Sequence, residues 1–242
     1  ELLNVKESFI VQTNKDHLMY IIETASLKSV DDFDSIFNIS SKEHYRAIIG
    51  LLLGDGHLKK VDYIQITHTD KQQDYIKFMK VLFDYWGFSS TVGKVSFTQR
   101  YRKRDGSPII NHYFYLSLDN KDYFKGDRRV SLLNKQVTSY LASRLTPLSL
   151  LFWYLDDGSY TNCGINLHTN GFNHLSQTLL IKYLTEKFNI TPKIYTTQGY
   201  EYLHFSVKES VKFLNIINIY KPYLPNCFNN KFKSFNNTSC MI

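Results

Sequence analysis

Ile48–Gly56, reading IIGLLLGDG, and Leu150–Gly158, reading LLFWYLDDG, are the two stretches that decide the fold. Each is an apolar run without proline, long enough for about two turns of helix, and each closes on Asp-Gly. Glycine stops the helix at the carboxylate. One such run says little, because many apolar helices end in a polar cap. Two of them, with Asp55 and Asp157 102 residues apart, suggest a duplicated unit whose acidic tips face a common metal site.

The surrounding sequence repeats with them. Ser40-Ser41-Lys42-Glu43 has the Ser-x-x-Glu pattern of a capping box and opens the first helix. Gly50 and Gly54, one turn apart, would let a partner backbone come close. After Gly56 the pattern alternates, with Ile64 and Ile66 on one face and Gln65, Thr67 and Thr69 on the other. Thr69-Asp70 then caps a helix bearing Tyr75, Phe78, Met79, Leu82, Phe83 and Trp86. Two strands follow. In Thr91–Lys103, Val95, Phe97 and Tyr101 are expected inward and Lys94, Ser96, Thr98, Arg100 and Arg102 outward. In Asn111–Leu118, Phe114, Leu116 and Leu118 are expected inward and Asn111, Tyr113, Tyr115 and Ser117 outward.

Thr146-Pro147 starts the second apolar helix. A short hairpin follows, with Ile165 and Leu167 inward and Asn166, His168 and Asn170 outward. Asn173 caps a helix with Leu175, Leu179, Leu180, Tyr183, Leu184 and Phe188 as its apolar set, and two strands and a closing helix complete the unit. The distances from tip Asp to second helix cap, 15 and 16 residues, nearly agree. The reading is α+β, an αββαββα unit used twice. Residues 1–40 form an acidic N-terminal extension, 41–135 the first subdomain with its linker, 136–235 the second subdomain and 236–242 a tail. No Gly/Ser-rich tether joins the halves.

Charge points to a polyanion. The chain of 242 residues carries +7, but residues 1–40 hold three Lys against seven Asp and Glu, leaving +11 on the remainder. The alternative is a basic surface with no partner. Hydrophobic content of 43% is that of a globular protein, and no window approaches the roughly 20 apolar residues of a membrane span. ELLNVKESFI lacks a basic segment followed by an apolar one, so no signal peptide is expected, and the missing Met suggests a fragment or a processed form. Cys163, Cys227 and Cys240 form no CxxC, which argues against zinc or a disulfide scaffold and for a reducing compartment. Richness in Asn, Lys, Ile, Tyr and Phe, whose codons are AT-rich, suggests an organelle (mitochondrion or plastid) or the cytoplasm of an AT-rich microbe.

If the two apolar helices pack in parallel, Asp55 and Asp157 converge at two negative helix ends and repel each other. A hard divalent cation removes both penalties. Mg²⁺, or another divalent ion, is suited to one or two carboxylates plus phosphate oxygens and supports displacement at a phosphodiester. The outward strand residues are rich in donors: Lys94, Arg100, Arg102, Asn111, Tyr113 and Tyr115 in the first copy, Lys193, Tyr195, Tyr202 and His204 in the second. A twisted antiparallel ribbon carrying them fits the major groove of double-stranded DNA. Gln65, Ser96, Thr98 and Asn166 share those expected outward faces.

The paired motifs, with LTPLSLLFWYLDDG and the later KPYLPNCFNNKF, resemble the LAGLIDADG homing endonucleases in their single-chain, double-motif form. The resemblance covers about residues 41–235. It implies an αββαββα pseudo-dimer whose two antiparallel sheets form a saddle on duplex DNA, and Mg²⁺-dependent cleavage of both strands at a long site. The last Asp of each motif is the family's metal ligand, which gives Asp55 and Asp157 and sets Asp156 aside. Family sites also hold one basic residue per centre, for which Lys135 and Lys231 stand, Lys135 with a one-residue gap. Thr67 and His168 occupy the strand position of the water-positioning side chain. The second motif departs from the pattern: it lacks the small-residue notch and carries Phe152 and Asp156 instead. The expected protein is a monomeric, intron-encoded endonuclease. Its rivals are an intron RNA maturase on the same fold and a DNA-binding regulator without catalysis.

Overall fold

The first backbone N–H groups of a helix need acceptors from outside it, and the two apolar helices meet this need differently. The computed structural model describes residues 35–37, 40–59, 63–101, 108–119 and 136–235. The first half contains α1 (Ser41–Leu53), β1 (His57–Lys59), β2 (Tyr63–Thr69), α2 (Gln73–Tyr85), β3 (Ser89–Tyr101) and β4 (Pro108–Asp119). After a short α3 (Ser139–Ala142) come α4 (Pro147–Asp157), β5 (Gly158–Thr161), β6 (Gly164–Leu167), α5 (His174–Phe188), β7 (Lys193–Thr197), β8 (Tyr200–Ser206) and α6 (Val207–Ile217). Single 3-10 segments cover Asp70–Gln72, Asn218–Tyr223 and Asn226–Lys231.

At α4 the Thr146 hydroxyl accepts from the Ser149 N–H at 3.4 Å, and the Ser149 hydroxyl accepts from the Thr146 N–H at 3.2 Å. A reciprocal capping box therefore forms here. The box expected at Ser40 does not: Ser40 makes no side-chain cap, and Glu43 pairs with Arg46 instead. Thr69 likewise makes no side-chain cap, because a 3-10 turn intervenes before α2.

Two four-stranded sheets with matching orders, β1-β2-β4-β3 and β5-β6-β8-β7, give the α+β duplication. All their pairings are antiparallel. Between them α1 and α4 run side by side in the same direction. A Cβ on Gly50 would lie 2.3 Å from the Ser149 carbonyl oxygen, and one on Gly54 would lie 2.5 Å from the Asp156 Cβ. The Ser149 hydroxyl also donates across the interface to the Arg46 carbonyl at 2.6 Å. The notch in α1 thus receives the backbone and carboxylate of α4, so the partner needs no notch of its own. Residues Leu148–Leu155 of α4 are all buried, each apolar side chain contributing about 1.5–3 kcal/mol.

The apolar faces of α2, α6 and both sheets close one continuous core. Phe37, fully buried, packs on Phe78 of the first half and on Tyr220 and Tyr223 of the second. Its carbonyl accepts from the Trp86 indole at 2.9 Å. Leu175, expected in the core, is 77% exposed. No helix among the described residues is long and apolar enough to cross a membrane.

Candidate active site and nucleic-acid face

The C-terminal ends of α1 and α4 bring the carboxylates of Asp55 and Asp156 together. Asp55 follows α1 in the turn, with 44% of its side chain exposed. Asp156 is the penultimate residue of α4, and its side chain is completely buried. Two hydrogen bonds hold it: Tyr75 donates its hydroxyl to Oδ1 at 2.9 Å, and the Asp55 N–H donates to Oδ2 at 3.3 Å. Burial, then the Asp156 charge, push the Tyr75 pKa well above 10, so its hydroxyl stays a donor.

His68 lies between the carboxylates. It follows Ile64 and Ile66 on the buried face of β2 and is only 3% exposed. Nδ1 is 3.6 Å from Asp55 Oδ2, and Nε2 is 3.6 Å from Asp156 Oδ1. Burial alone would lower the His68 pKa, but Asp156 and Asp55 outweigh it and hold the ring above its usual 6.5. Neither His68 nor Tyr75 nor Asp156 was among the expected site residues. The available signal was parity: a histidine in phase with two core isoleucines, Ile64 and Ile66, on the second strand after the acidic tip.

These groups fit a divalent cation. Asp55, His68 and Asp156 each offer a ligand atom within 4.8 Å of the others, and the Nε2 of His68 is buried without a hydrogen-bond partner. A separation of 3.6 Å between Asp55 Oδ2 and His68 Nδ1 is one that two ligands about 2.1 Å from an ion can span. Both Asp156 oxygens already accept hydrogen bonds, and the Asp55 side chain is the more exposed of the two.

Asp157 is not in that group. It is the last residue of α4, half-buried, and its carbonyl accepts from the His168 N–H at 3.0 Å. Lys231 closes the same tip, its ammonium donating to the carbonyls of Tyr154 at 3.1 Å and Leu155 at 2.5 Å. The Tyr154 hydroxyl returns a bond to the Lys231 carbonyl at 2.7 Å. Burial lowers the Lys231 pKa, against the opposing pull of Asp156, Asp157 and Asp55. A cation over the C-terminal carbonyls offsets the negative helix pole. Lys135 lies outside the described residues.

Thr67 is exposed on β2, facing away from His68. His168 is exposed with Nε2 3.0 Å from the Ser159 hydroxyl, and burial followed by Lys231 lowers its pKa. The sheet registers make Thr67 and His168 equivalent. His57 pairs with Gln65 as Ser159 pairs with Asn166, so the next two residues correspond as Ile66 with Leu167 and Thr67 with His168.

The outer faces differ from expectation in one strand. Register pairs Lys94 with Phe114 and Ser96 with His112, while Val95 pairs with Tyr113. Lys94 and Ser96 therefore lie on the helix-side face, with the Lys94 ammonium 5.6 Å from the Phe114 ring. Val95, expected inward, is 46% exposed. The alternation in β3 was one residue out of phase because polar and apolar residues alternate beyond the reach of the helices, where neither face is forced inward. A bulge between Thr98 and Arg100 then shifts the register: Thr98 pairs with Ile110, Arg100 with Ile109. Asn111 pairs with Phe97, and Arg102 lies outside the described residues. Tyr115 crosses Gly93, where a Cβ would meet its ring at 2.1 Å. Gln65, opposite Ser117, and Tyr113 keep their expected outward face.

In the second sheet Asn166, Tyr202, His204, Lys193 and Tyr195 share the outward face. His204 Nδ1 is 2.7 Å from Asn166 Oδ1, and the Tyr195 ring is 4.8 Å from His204 and 6.3 Å from Tyr202. Burial lowers the His204 pKa. Because Asn166 Oδ1 can only accept, His204 Nδ1 is the donor of this pair.

Compared with known families, residues 45–213 match the LAGLIDADG DNA endonuclease family. The chain belongs to this family. Relatives include the probable intron-encoded endonuclease 1 of Wickerhamomyces canadensis, 24% identical over 80% of this chain and 86% of that one. The cytochrome b mRNA maturase bI2 of Saccharomyces cerevisiae is 27% identical over 73% of this chain but only 44% of its own length. Among solved structures, the homing endonuclease I-WcaI bound to its DNA recognition sequence matches with a TM-score of 0.65. It is 24% identical, and the match covers 86% of this chain and 93% of that one.

Proposed function

We propose that this protein is a monomeric homing endonuclease that makes a divalent-metal-dependent double-strand break at one long site in duplex DNA. The observation that carries the reading is the convergence of two acid-tipped helices beneath two sheets of matching order in one chain of the LAGLIDADG family. Residues 41–135 and 136–235 are assigned as its halves, and Asp55 and Asp157 as the metal ligands, with Mg²⁺ as the ion. A bound ion there would polarise the scissile phosphate and activate water.

The chain's own groups do the rest. Lys231 supplies positive charge beside the α4 tip, where it counters the charge that develops on the phosphate, and Lys135 is assigned the corresponding role in the other half. Thr67 and His168 orient water. The outward residues of both sheets read base edges in the major groove. Relatives named as intron-encoded, together with a composition favouring AT-rich codons, support an intron of an organellar genome as its source.

Incubating the protein with a randomised duplex library and Mg²⁺ tests this reading. The expected result is recovery of one extended target cut on both strands, with cutting lost when the ion is chelated. Intact DNA under saturating binding overturns it. Stimulated splicing of intron RNA without DNA cutting would favour the activity for which the yeast maturase is named.

A further inference from the structure

We infer that Asp156 is a positioning residue that reaches from the second half into the first and holds His68 against the Asp55 centre, so that the two strands are cut by unequal machinery. The inference rests on the endonuclease reading and specifies how its two centres differ.

The halves are related residue by residue. Asp55 and Asp157 end their motifs, so Gly54 corresponds to Asp156. Continuing the sheet registers one step past Thr67 and His168 makes His68 correspond to Thr169. The two differences meet at one place. The Asp156 carboxylate fills the space that Gly54 leaves empty, where any Cβ would come within 2.8 Å of Oδ2. From there, among the described residues, its hydrogen bonds and close ion pair go to the first half: the Asp55 N–H, the Tyr75 hydroxyl and the His68 ring. Thr169, by contrast, is fully buried and donates to Gln177 Oε1 at 2.8 Å, within its own half. Gly54, the position on the first half's helix that corresponds to Asp156, has no side chain with which to return the contact.

A fully buried carboxylate is costly unless every oxygen is used. Here the two oxygens accept from Tyr75 and from the Asp55 backbone, and the charge faces His68. The arrangement fixes three things at once: the Asp55 backbone, the Tyr75 ring and the orientation of the imidazole. Its Nδ1 lies 3.6 Å from Asp55 Oδ2 and its Nε2 3.6 Å from Asp156 Oδ1, so charge attraction at both ring nitrogens orients it between the two carboxylates. Loss of a partner that orients a site residue in this way costs about 10–100-fold in activity or metal affinity.

Strand-resolved nicking of the target by the full chain tests the inference. Asp156→Asn and His68→Gln are each expected to slow cutting of the same strand by about 10–100-fold. The other strand should change by less than about threefold, and the double variant should be no slower than the worse single one. Asp156 adjoins Asp157 in α4, so a merely local disturbance would slow the strand that His68→Gln leaves alone. That outcome, equal slowing of both strands, or additive effects would overturn the inference. A second readout needs neither metal nor DNA. In ¹H–¹⁵N spectra of the imidazoles, Asp156→Asn should shift the His68 ring nitrogens and leave those of His168 in place; unchanged His68 signals would also overturn it. Absence of cutting by the unsubstituted chain would instead count against the endonuclease reading, and the spectra would still decide the role of Asp156.

Discussion

The two halves share strand order and register, yet they differ in strand length, in the helix contact and at the tips. In the first, β3 and β4 run 13 and 12 residues; in the second, β7 and β8 run 5 and 7. At about 3.3 Å per residue, the first ribbon is roughly twice as long as the second. One helix has glycines at the contact, the other Ser149 and Asp156. One tip carries a buried histidine between two carboxylates, the other a lysine over the end carbonyls. A duplication therefore conserves the architecture, which depends on the helix pair, and leaves each tip free to acquire its own chemistry.

The largest effect that could break the comparison lies in the helix pair. Phe152→Ala empties a fully buried site in α4 and should cost about 3–5 kcal/mol in denaturant unfolding. Its counterpart in α1 is filling the notch. Gly50→Val would place side-chain carbon against the Ser149 carbonyl and should cost about 1–3 kcal/mol by overpacking. A neutral result for Gly50→Val would mean the helices are not in close contact. Smaller effects sharpen the difference at the N-termini. Thr146→Ala removes a formed capping box and should cost about 1 kcal/mol, whereas Ser40→Ala removes no side-chain cap and should be close to neutral. Least in energy is the difference between two lysines. Lys193→Ala, on the outward face, should reduce the salt dependence of DNA binding by about one unit of slope. Lys94→Ala, on the helix-side face beside Phe114, should leave the slope unchanged.

The sequence was most legible where burial forces the pattern. α4, apolar on every side and announced by Thr146-Pro147, and β6, with Ile165 and Leu167 inward, form as their residues dictate. Legibility failed where no core enforces a phase. In β3 the strand outruns the helices, so Val95 and Lys94 exchange the faces that alternation suggested, and the bulge at Thr98/Arg100 cannot be read from composition. The Ser40 box failed for a different reason: Glu43 found Arg46 within its own helix. At the site, Asp55 could be named from its place before glycine, but the grouping of Asp156 with His68 and Tyr75 depends on how two helices distant in sequence meet. Asp156 looked superfluous beside Asp157 because its partner is an absence, the missing side chain of Gly54.

The central claim is that two acidic tips, one from each half, cut the two strands together. It is tested most directly by converting a plasmid that carries the selected target to linear form with Mg²⁺, using Asp55→Asn and Asp157→Asn in turn. The prediction is that each variant binds the target as the unsubstituted chain does and yields no linear product. Linear product at an undiminished rate from either variant would contradict the assignment of that aspartate, and with it the account of a site shared between the halves.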